Sequence, residues 1–289
     1  TGMKVRVTPA GDPARFKLLM NKEAQMIAMA QVEIKSLYRG EGVYVEIPKV
    51  MLCDAWYMQS TFFFFWTTKE TGIKTIYDIK KKIEAGEKVR LARIPSIPAR
   101  DVSTKEMLPA MLGIDPKNLN YVPFATNPLF QKSIGEGKAD VTWMASVGPT
   151  ILEVVAGPKG AVALEIPWRT DPKLVEGVLQ YRPTAIFGKV AFGVKEALGK
   201  DAIVSPFTYM VLDETDEELV YQLAKWFHKN FDAYKDVYEV AFMMSIDTFR
   251  EYLNQSPMPV HRGTVRYLKE IGKWTAVDDA WNEAARKLM

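Results

Sequence analysis

Residues 8–33 read TPAGDPARFKLLMNKEAQMIAMAQVE, and residues 123–148 read PFATNPLFQKSIGEGKADVTWMASVG. The two stretches align without gaps at an offset of about 115 residues, with proline, lysine, alanine and methionine at shared positions. Their identity is low, but each shows the same order of strand, turn, helix and strand. Because that unit is typical of a parallel sheet, the repeat predicts an α/β chain with two similar lobes.

The first copy carries clear helix-start signals. Residues 3–8 alternate apolar and polar side chains, which predicts a strand. Asp12 suits a helix N-cap and Pro13 the first helical position, so a helix is predicted to run to about Lys22. Residues 25–31 then read as a short buried strand.

The second copy repeats these signals, with strands predicted at 120–124 and 141–145 and a helix starting at Asn127 and Pro128. It also has one more unit in front of it. Residues 88–92 predict a strand, residues 93–101 a proline-rich turn, and residues 102–112 a helix. The corresponding unit of the first copy would precede residue 1, so the sequence predicts that the first lobe lacks its opening strand and helix.

Two extended runs, 58–67 and 205–212, are interpreted as the passages between the lobes. They divide the chain into lobe one, residues 1–70 plus 205–289, and lobe two, residues 71–204. Two crossings of this kind make a hinge, which suits closure of the lobes around a ligand.

Open parallel sheets bind ligands beyond the carboxyl ends of their strands, where helix N-termini present N–H groups to an anion. The candidate ligand-binding residues therefore lie in the turns before the helices and at the next strand ends. They are Thr8, Pro9, Ala10, Asp12, Gln31 and Glu33 in lobe one, and Ser96, Arg100, Thr126, Asn127, Ser146 and Gly148 in lobe two.

Several of these residues also have a purely structural interpretation. Asp12 and Asn127 suit helix capping alone, and Glu33 suits a solvated surface. Ser146 and Gly148 also suit a chain that simply turns before a proline. Arg100 is either a surface residue or, if it faces the cleft, a bidentate partner for a carboxylate.

Composition and motifs argue against several other functions. The net charge of +3 is low for a nucleic-acid-binding protein, and the single cysteine, Cys53, excludes a disulfide within the chain. The two histidines, His228 and His261, have no nearby arrangement that predicts a catalytic triad or a metal site. No phosphate-binding glycine loop occurs either. The sequence therefore predicts neither an enzyme nor a metal or cofactor site.

Residues 258–270, MPVHRGTVRYLKE, resemble the closing motif of the TAXI solute receptors of TRAP transporters. Further stretches are similar to motifs of that family in the same order: 8–12 (TPAGD), 19–24 (LMNKEA), 71–80 (TGIKTIYDIK) and 135–140 (GEGKAD). Arg262 and Thr264 depart from the usual motif. In residues 93–100, prolines replace the glycines that these receptors place in the corresponding turn.

The resemblance implies a type 2 periplasmic-binding-protein fold with two Rossmann-like lobes joined by a two-strand hinge. It also implies a monomeric, periplasmic or otherwise extracytoplasmic receptor whose signal peptide has been removed. Such a receptor delivers a small carboxylate or amino acid, for example a dicarboxylate or glutamate, to the TRAP membrane subunits. In this setting His261 is interpreted as structural.

Two other functions stay open. An enzyme or a sensor can be built on the same two-lobed scaffold, because a fold does not determine a function. Alternatively, the prolines of residues 93–100 restrict the approach of a ligand to the backbone. Such a restriction is expected in a receptor-like protein that has lost its usual ligand and acts as a module that binds a partner.

Overall fold

The computed structural model describes residues 4–8, 10, 12–31, 34, 37, 45, 50–182, 185–253, 256 and 258–288. The strands in this part of the chain are β1 (Ile27–Ala30), β2 (Leu52–Thr68), β3 (Arg90–Arg93), β4 (Asn120–Pro123), β5 (Thr142–Ala145), β6 (Ala161–Leu164), β7 (Ile186–Lys189) and β8 (Asp201–Leu212). The helices are α1 (Asp12–Met20), α2 (Ile76–Glu84), α3 (Pro98–Val102), α4 (Leu108–Leu112), α5 (Asn127–Lys132), α6 (Pro149–Ala156), α7 (Pro172–Tyr181), α8 (Glu217–Lys229), α9 (Phe231–Tyr234), α10 (Ile246–Leu253), α11 (Arg262–Glu270) and α12 (Ala276–Leu288).

The chain forms two compact units. Unit 1 comprises residues 1–60 and 206–289, and unit 2 comprises residues 61–205. Strands β2 and β8 each cross from one unit to the other, and they are hydrogen-bonded neighbours in a six-stranded sheet. The predicted α/β class is therefore confirmed. The lobe boundaries predicted at 70/71 and 204/205 stay predictions.

In unit 2, three parallel strands lie side by side. β3 pairs with β4 in parallel over Arg90–Arg93 and Asn120–Pro123. On its other side, a parallel bridge joins Leu91 to Val141, the residue before β5. β5 then pairs with β2 in antiparallel register, and β6 pairs with the opposite edge of β2. The strand–helix–strand unit predicted for residues 120–145 is therefore confirmed.

The strand predicted at residues 3–8 is wrong for residues 4–8, which form no strand. Val5 is 75% exposed and Val7 84% exposed, so this segment neither buries its apolar side chains nor pairs its backbone with a neighbouring strand. A strand without a partner is not stable in water. The first copy of the repeat is reduced to α1 and β1, and β1 pairs with β8 in antiparallel register.

The proline-rich segment is also more helical than predicted. The sequence predicts a turn up to residue 101, but α3 begins at Pro98 and places Arg100 inside a helix. A π-helical turn, Ser103–Met107, then joins α3 to α4. The reason is Pro109, which has no N–H to donate to the carbonyl of Lys105. That carbonyl accepts a hydrogen bond from the Tyr121 hydroxyl instead (2.9 Å).

Each unit has its own buried apolar side chains. In unit 2, Phe62, Phe64 and Trp66 on one face of β2 pack with residues of α6 and β8. In unit 1, Trp56 packs with Phe227 of α8 and neighbouring aromatic residues. The alternation of side chains along β2 produces these buried faces, because successive residues of a strand point to opposite sides of a sheet.

Candidate functional site

The carboxyl ends of β3, β4 and β5 lie at one edge of the sheet in unit 2, because the three strands are parallel. The chain continues from these ends into α3, α5 and α6. Ser96 Oγ donates a hydrogen bond to the carbonyl oxygen of Ala125 (3.2 Å), which ties the turn after β3 to the turn after β4. The candidate residues of lobe two therefore occur at this edge, as the topology predicts.

Two buried polar atoms at this edge have no hydrogen-bond partner among the described residues: Asn127 Oδ1 and Ser146 Oγ. Ser146 is fully buried, and its backbone is engaged by Phe62 and Val194. Buried polar atoms almost always have a partner, so each such atom requires an explanation. Asn127 Oδ1 can only accept a hydrogen bond, whereas a serine hydroxyl can donate or accept one.

The start of α6 adds a second feature to this edge. Gly148 is its N-cap residue with φ +102°, a backbone conformation that favours glycine. A small cavity of about 90 Å³ adjoins this helix start. It is lined by Gln131, Met144, Ala145, Val147, Gly148, Pro149, Thr150 and Ile151. The N-terminus of a helix attracts anions, because its first N–H groups are not bonded within the helix.

Arg100 brings positive charge to the same edge. Its guanidinium carbon lies 6.0 Å from the ring centre of Phe63, which pairs with Ala145 at the end of β5. The Phe63 ring stacks on Trp143 with ring centres 5.5 Å apart and planes 13° apart. Stacked aromatic rings of this kind hold a neighbouring guanidinium by cation–π attraction.

The turn between β3 and α3 is closed by an ion pair. Arg93 donates to both carboxylate oxygens of Asp101, at 3.0 and 2.5 Å, and the backbone N–H of Ile94 donates to the same carboxylate (3.0 Å). The hydrogen bond to Asp101 raises the pKa of Arg93 above its ordinary value. Bidentate pairs of this kind are geometrically specific, so they fix the loop that carries Ser96 and Arg100.

Beneath this turn, Arg182 connects α7 to the π-helical segment. Its guanidinium donates to the carbonyl oxygen of Ala99 and to Ser103 Oγ, the latter at 2.5 Å. Its guanidinium carbon lies 5.5 Å from the centre of the Trp143 ring. Sequence reasoning missed Arg182, because nothing along the chain connects it with residues about 80 positions earlier.

The candidates of lobe one are more scattered. Thr8 is exposed, and the carbonyl oxygen of Ala10 accepts a hydrogen bond from Arg15 Nε (2.8 Å). Asp12 opens α1, but its side chain lies outside the described residues, as do Pro9 and Glu33 altogether.

Gln31 is buried and belongs to a polar cluster around Asp54 in unit 1. Its Nε2 lies 3.2 and 3.4 Å from the two carboxylate oxygens of Asp54. Thr208, Tyr252 and Ser256 also donate to this carboxylate, at 2.7, 3.3 and 3.0 Å. Burial raises the pKa of Asp54 to about 7, although the hydrogen bonds from all four donor residues oppose that shift. In the sequence, the only indication of this polar cluster is an acidic residue, Asp54, within the largely apolar stretch of β2.

The other reactive side chains of unit 1 have structural contacts. Cys53 is fully buried, and burial raises the pKa of its thiol. His261 is the N-cap of α11: its Nδ1 accepts from Gly263 N–H (3.1 Å) and its Nε2 donates to the Asp213 carbonyl (3.2 Å). His228 Nδ1 lies 2.7 Å from the Tyr267 hydroxyl. Within the described ranges, no group of three or more potential metal-binding side chains occurs.

Unit 1 also has a broad groove of about 580 Å³ beside α8, α11 and α12. Most of its charged side chains are already in ion pairs, for example Arg286 with Asp213 (2.5 Å) and Lys269 with Asp279 (2.9 Å). None of the predicted site residues lines this groove. Among the described helices, none combines the length and the apolar composition needed to cross a membrane.

The fold is thus an α/β chain in two compact units. At a parallel-strand edge of one unit, two buried polar atoms have no partner in the part of the chain that the structure describes. The chain belongs to the NMT1-like family, whose model matches residues 2–272. No curated protein matches the sequence significantly.

Solved structures of periplasmic binding proteins are similar to the chain. The periplasmic binding protein BugD shows 14% identity and a TM-score of 0.43, over 69% of this chain and 60% of its own. A periplasmic binding protein from Brucella ovis with glutathione bound shows 13% identity and a TM-score of 0.43, over 87% of this chain and 59% of its own.

MatC from Rhodopseudomonas palustris with bound malate shows 11% identity and a TM-score of 0.48, over 95% of this chain and 85% of its own. Of the lengths of BugD and the Brucella ovis protein, the chain spans only about 60%. Structural similarity this weak assigns neither a ligand nor an activity to this chain.

Proposed function

We propose that this chain is the solute-binding receptor of a TRAP-type transporter. In this proposal it binds a small carboxylate or amino acid at the parallel-strand edge of unit 2, outside the cytoplasm, and passes it to the membrane subunits. Membership of the NMT1-like family agrees with a binding function. The resemblance of residues 258–270 to the closing motif of TAXI receptors supports the choice of transporter.

One observation carries the proposal. Asn127 Oδ1 and Ser146 Oγ are buried without partners among the described residues, at the edge where Arg100 and the start of α6 are found. An acceptor, a hydroxyl, a guanidinium and a helix N-terminus together suit a ligand with a carboxylate and an N–H donor. Such a ligand would complete the missing hydrogen bonds.

Binding is better supported than catalysis. A nucleophilic cysteine has to be accessible and to have a lowered pKa, whereas Cys53 is fully buried and burial raises the pKa of its thiol. The imidazole of His261 has both ring nitrogens occupied by hydrogen bonds to the backbone. Neither side chain is arranged for nucleophilic or general-base catalysis.

A panel of dicarboxylates and amino acids, tested by thermal shift, checks this function. A ligand that binds only the folded state raises the melting temperature with concentration, by the equivalent of about 2.7 kcal/mol at one hundred times its Kd. Arg100→Gln should weaken a carboxylate ligand by about tenfold or more, because charge-assisted hydrogen bonds contribute about 1.5–3 kcal/mol.

Arg90→Gln is the matched control. Arg90 begins β3, at the opposite end of the strand from the proposed site, and its guanidinium pairs with Asp140 (2.6 Å). The control should lower the melting temperature without ligand but keep the ligand-induced shift. If Arg100→Gln retains the full shift, the proposed binding edge is wrong. If no compound in the panel stabilises the chain, the receptor-like module without a ligand is favoured, because the prolines of residues 93–100 restrict the approach of a ligand to the backbone.

A further inference from the structure

The polar cluster around Asp54 joins four parts of unit 1. Asp54 lies on β2, Gln31 follows β1, Thr208 lies on β8, and Tyr252 and Ser256 lie at and after the end of α10. The carboxyl group of Asp54 is fully buried, and each of its oxygens accepts from at least two of these side chains. A buried carboxyl with this many donors and no cation among the described residues is unusual, because buried charges are normally paired.

The backbone of Asp54 holds the segment that leads into α11. Its N–H donates to the carbonyl of Pro259 (2.8 Å), and its carbonyl accepts from the N–H of His261 (3.0 Å). These bonds form a parallel bridge between Asp54 and Val260. Side chain and backbone of one residue therefore attach Ser256 and residues 259–261 to β2. We call this attachment the β2–260 join.

No described cation faces the carboxyl group of Asp54. On α10 the titratable neighbour is Tyr252, whose pKa is raised by burial and then by the Asp54 charge. On β2 the neighbour is Cys53, whose thiol contacts Asp213 and Arg286 (3.4 and 3.8 Å). Successive residues of a strand point to opposite faces, so that ion pair lies on the other side of β2. Gln31, Thr208 and Ser256 are uncharged.

The cluster accommodates a proton. When Asp54 is ionised, Ser256 donates its hydroxyl proton to Oδ2 (3.0 Å). When Oδ2 carries the proton, Ser256 accepts it and can turn its own proton to the carbonyl of Met258 (3.4 Å). Hydroxyl groups can reverse direction in this way because each is both donor and acceptor.

We propose that Asp54 is a proton switch in unit 1: its carboxyl group, fully buried and with no described cation facing it, holds a proton in the folded chain, and loss of that proton weakens the β2–260 join. Burial raises the pKa of Asp54 from 3.8 to about 7 in the folded chain. A raised carboxyl pKa means that the folded state holds the proton up to a higher pH than the unfolded state does. The stabilisation is complete below the unfolded pKa, declines as the pH rises, and is gone above about pH 7.

Urea unfolding of the full chain at pH 5, 6, 7 and 8 tests this switch. As the pH rises from 5 to 7, loss of the stabilisation by Asp54 should lower the folding equilibrium constant by about tenfold per pH unit. Above pH 7, Asp54 should cause no further change in this constant. Asp54→Asn keeps the shape of the side chain but cannot titrate. Between pH 5 and 7, the urea midpoint of this variant should therefore fall less than that of the parent protein.

Asp213→Asn is the matched control in the same unit. Burial opposes ionisation of Asp213, but its hydrogen bond to Arg286 prevails and keeps its pKa below the ordinary value. The control should be less stable at every pH tested but should keep the parent's decline. Parallel pH profiles of the parent and Asp54→Asn would overturn the proposal.

An infrared measurement on the parent protein covers the case in which Asp54→Asn does not fold. At pH 6 a buried protonated carboxylic acid should give its own carbonyl band, which disappears between pH 6 and 8. Thr208→Val removes the donor 2.7 Å from Oδ1, which favours the ionised form. The variant should therefore lose the band at a higher pH than the parent. Absence of the band at pH 6, or no shift in Thr208→Val, would refute the switch.

Discussion

At the scale of single residues, unit 2 places polar side chains in two different ways. Arg93 and Asp101 form a bidentate ion pair that closes a turn. Asn127 and Ser146, in contrast, each bury an atom without a partner among the described residues. The ion pair contributes order to the turn, whereas the unpartnered atoms cost stability. A cost of this kind is expected where a ligand later supplies the missing bond.

Gly177 shows how closely α7 approaches α4. A Cβ at this position would lie 2.6 Å from the backbone nitrogen and Cα of Met111, which cannot move without shifting the helix. Gly177→Ala should therefore lower the free energy of unfolding by about 1–3 kcal/mol, as overpacking does. Gly135→Ala is the control, because its nearest atom would be 3.5 Å away. Equal urea midpoints for the two variants would contradict this packing.

At the scale of elements, helix starts and interruptions have local causes. The π-helical turn Ser103–Met107 arises because Pro109 lacks the N–H that an α-helix needs there. Helix α11 begins at His261, whose imidazole replaces the usual serine or aspartate cap. Both features follow from one residue, yet each also uses a distant partner, the Tyr121 hydroxyl in the first and the Asp213 carbonyl in the second.

The cap of α11 should depend on pH. Burial lowers the pKa of His261, because the charged imidazolium is disfavoured away from water. Only the neutral imidazole can accept at Nδ1 from Gly263 N–H. Its stabilisation is present above the ordinary histidine pKa of 6.5 and is lost as the pH falls through the lowered value in the folded chain.

His261→Asn keeps an N-cap acceptor that does not titrate. Between pH 7 and pH 4.5, the unfolding midpoint of this variant should fall less than that of the parent, although the variant should be about 1 kcal/mol less stable at pH 7. An unchanged dependence on pH would contradict the assignment of the cap.

At the scale of the whole molecule, the chain is organised by two strands that each serve both units. Residues 61–68 of β2 find their partners β5 and β6 within unit 2, and residues 201–204 of β8 pair there with β7. The buried cluster of Phe62, Phe64 and Trp66 likewise draws only on residues between 62 and 204. Unit 2 is therefore a continuous stretch of chain with its own core.

Residues 61–205 should fold without unit 1. Independent folding requires a core and sheet pairings that stay within the segment, and both conditions hold here. The isolated segment should unfold cooperatively in urea with native-like far-ultraviolet circular dichroism. Residues 71–204, the lobe predicted from the sequence, lack the β2 strand that pairs with β5 and β6, so they should be markedly less stable. Equal stability of the two segments would contradict this argument.

The sequence by itself determined the features that depend on local order: the α/β class, the strand–helix–strand unit of residues 120–145 and the proline-led helix starts. Parallel strands then bring their carboxyl ends to one edge, so the position of Ser96, Asn127 and Ser146 could be predicted too. Periodicity and capping residues encode these features within a few turns of chain.

Only the tertiary structure decided whether a predicted strand found a partner and which polar groups met in the core. Residues 4–8 have the pattern of a strand but no neighbour. Asp54 meets Ser256 from 202 residues away, and no periodic pattern connects the two. Side-chain periodicity specifies which face of an element is buried. The partner across that face depends on how distant segments pack, and a single sequence does not encode this locally.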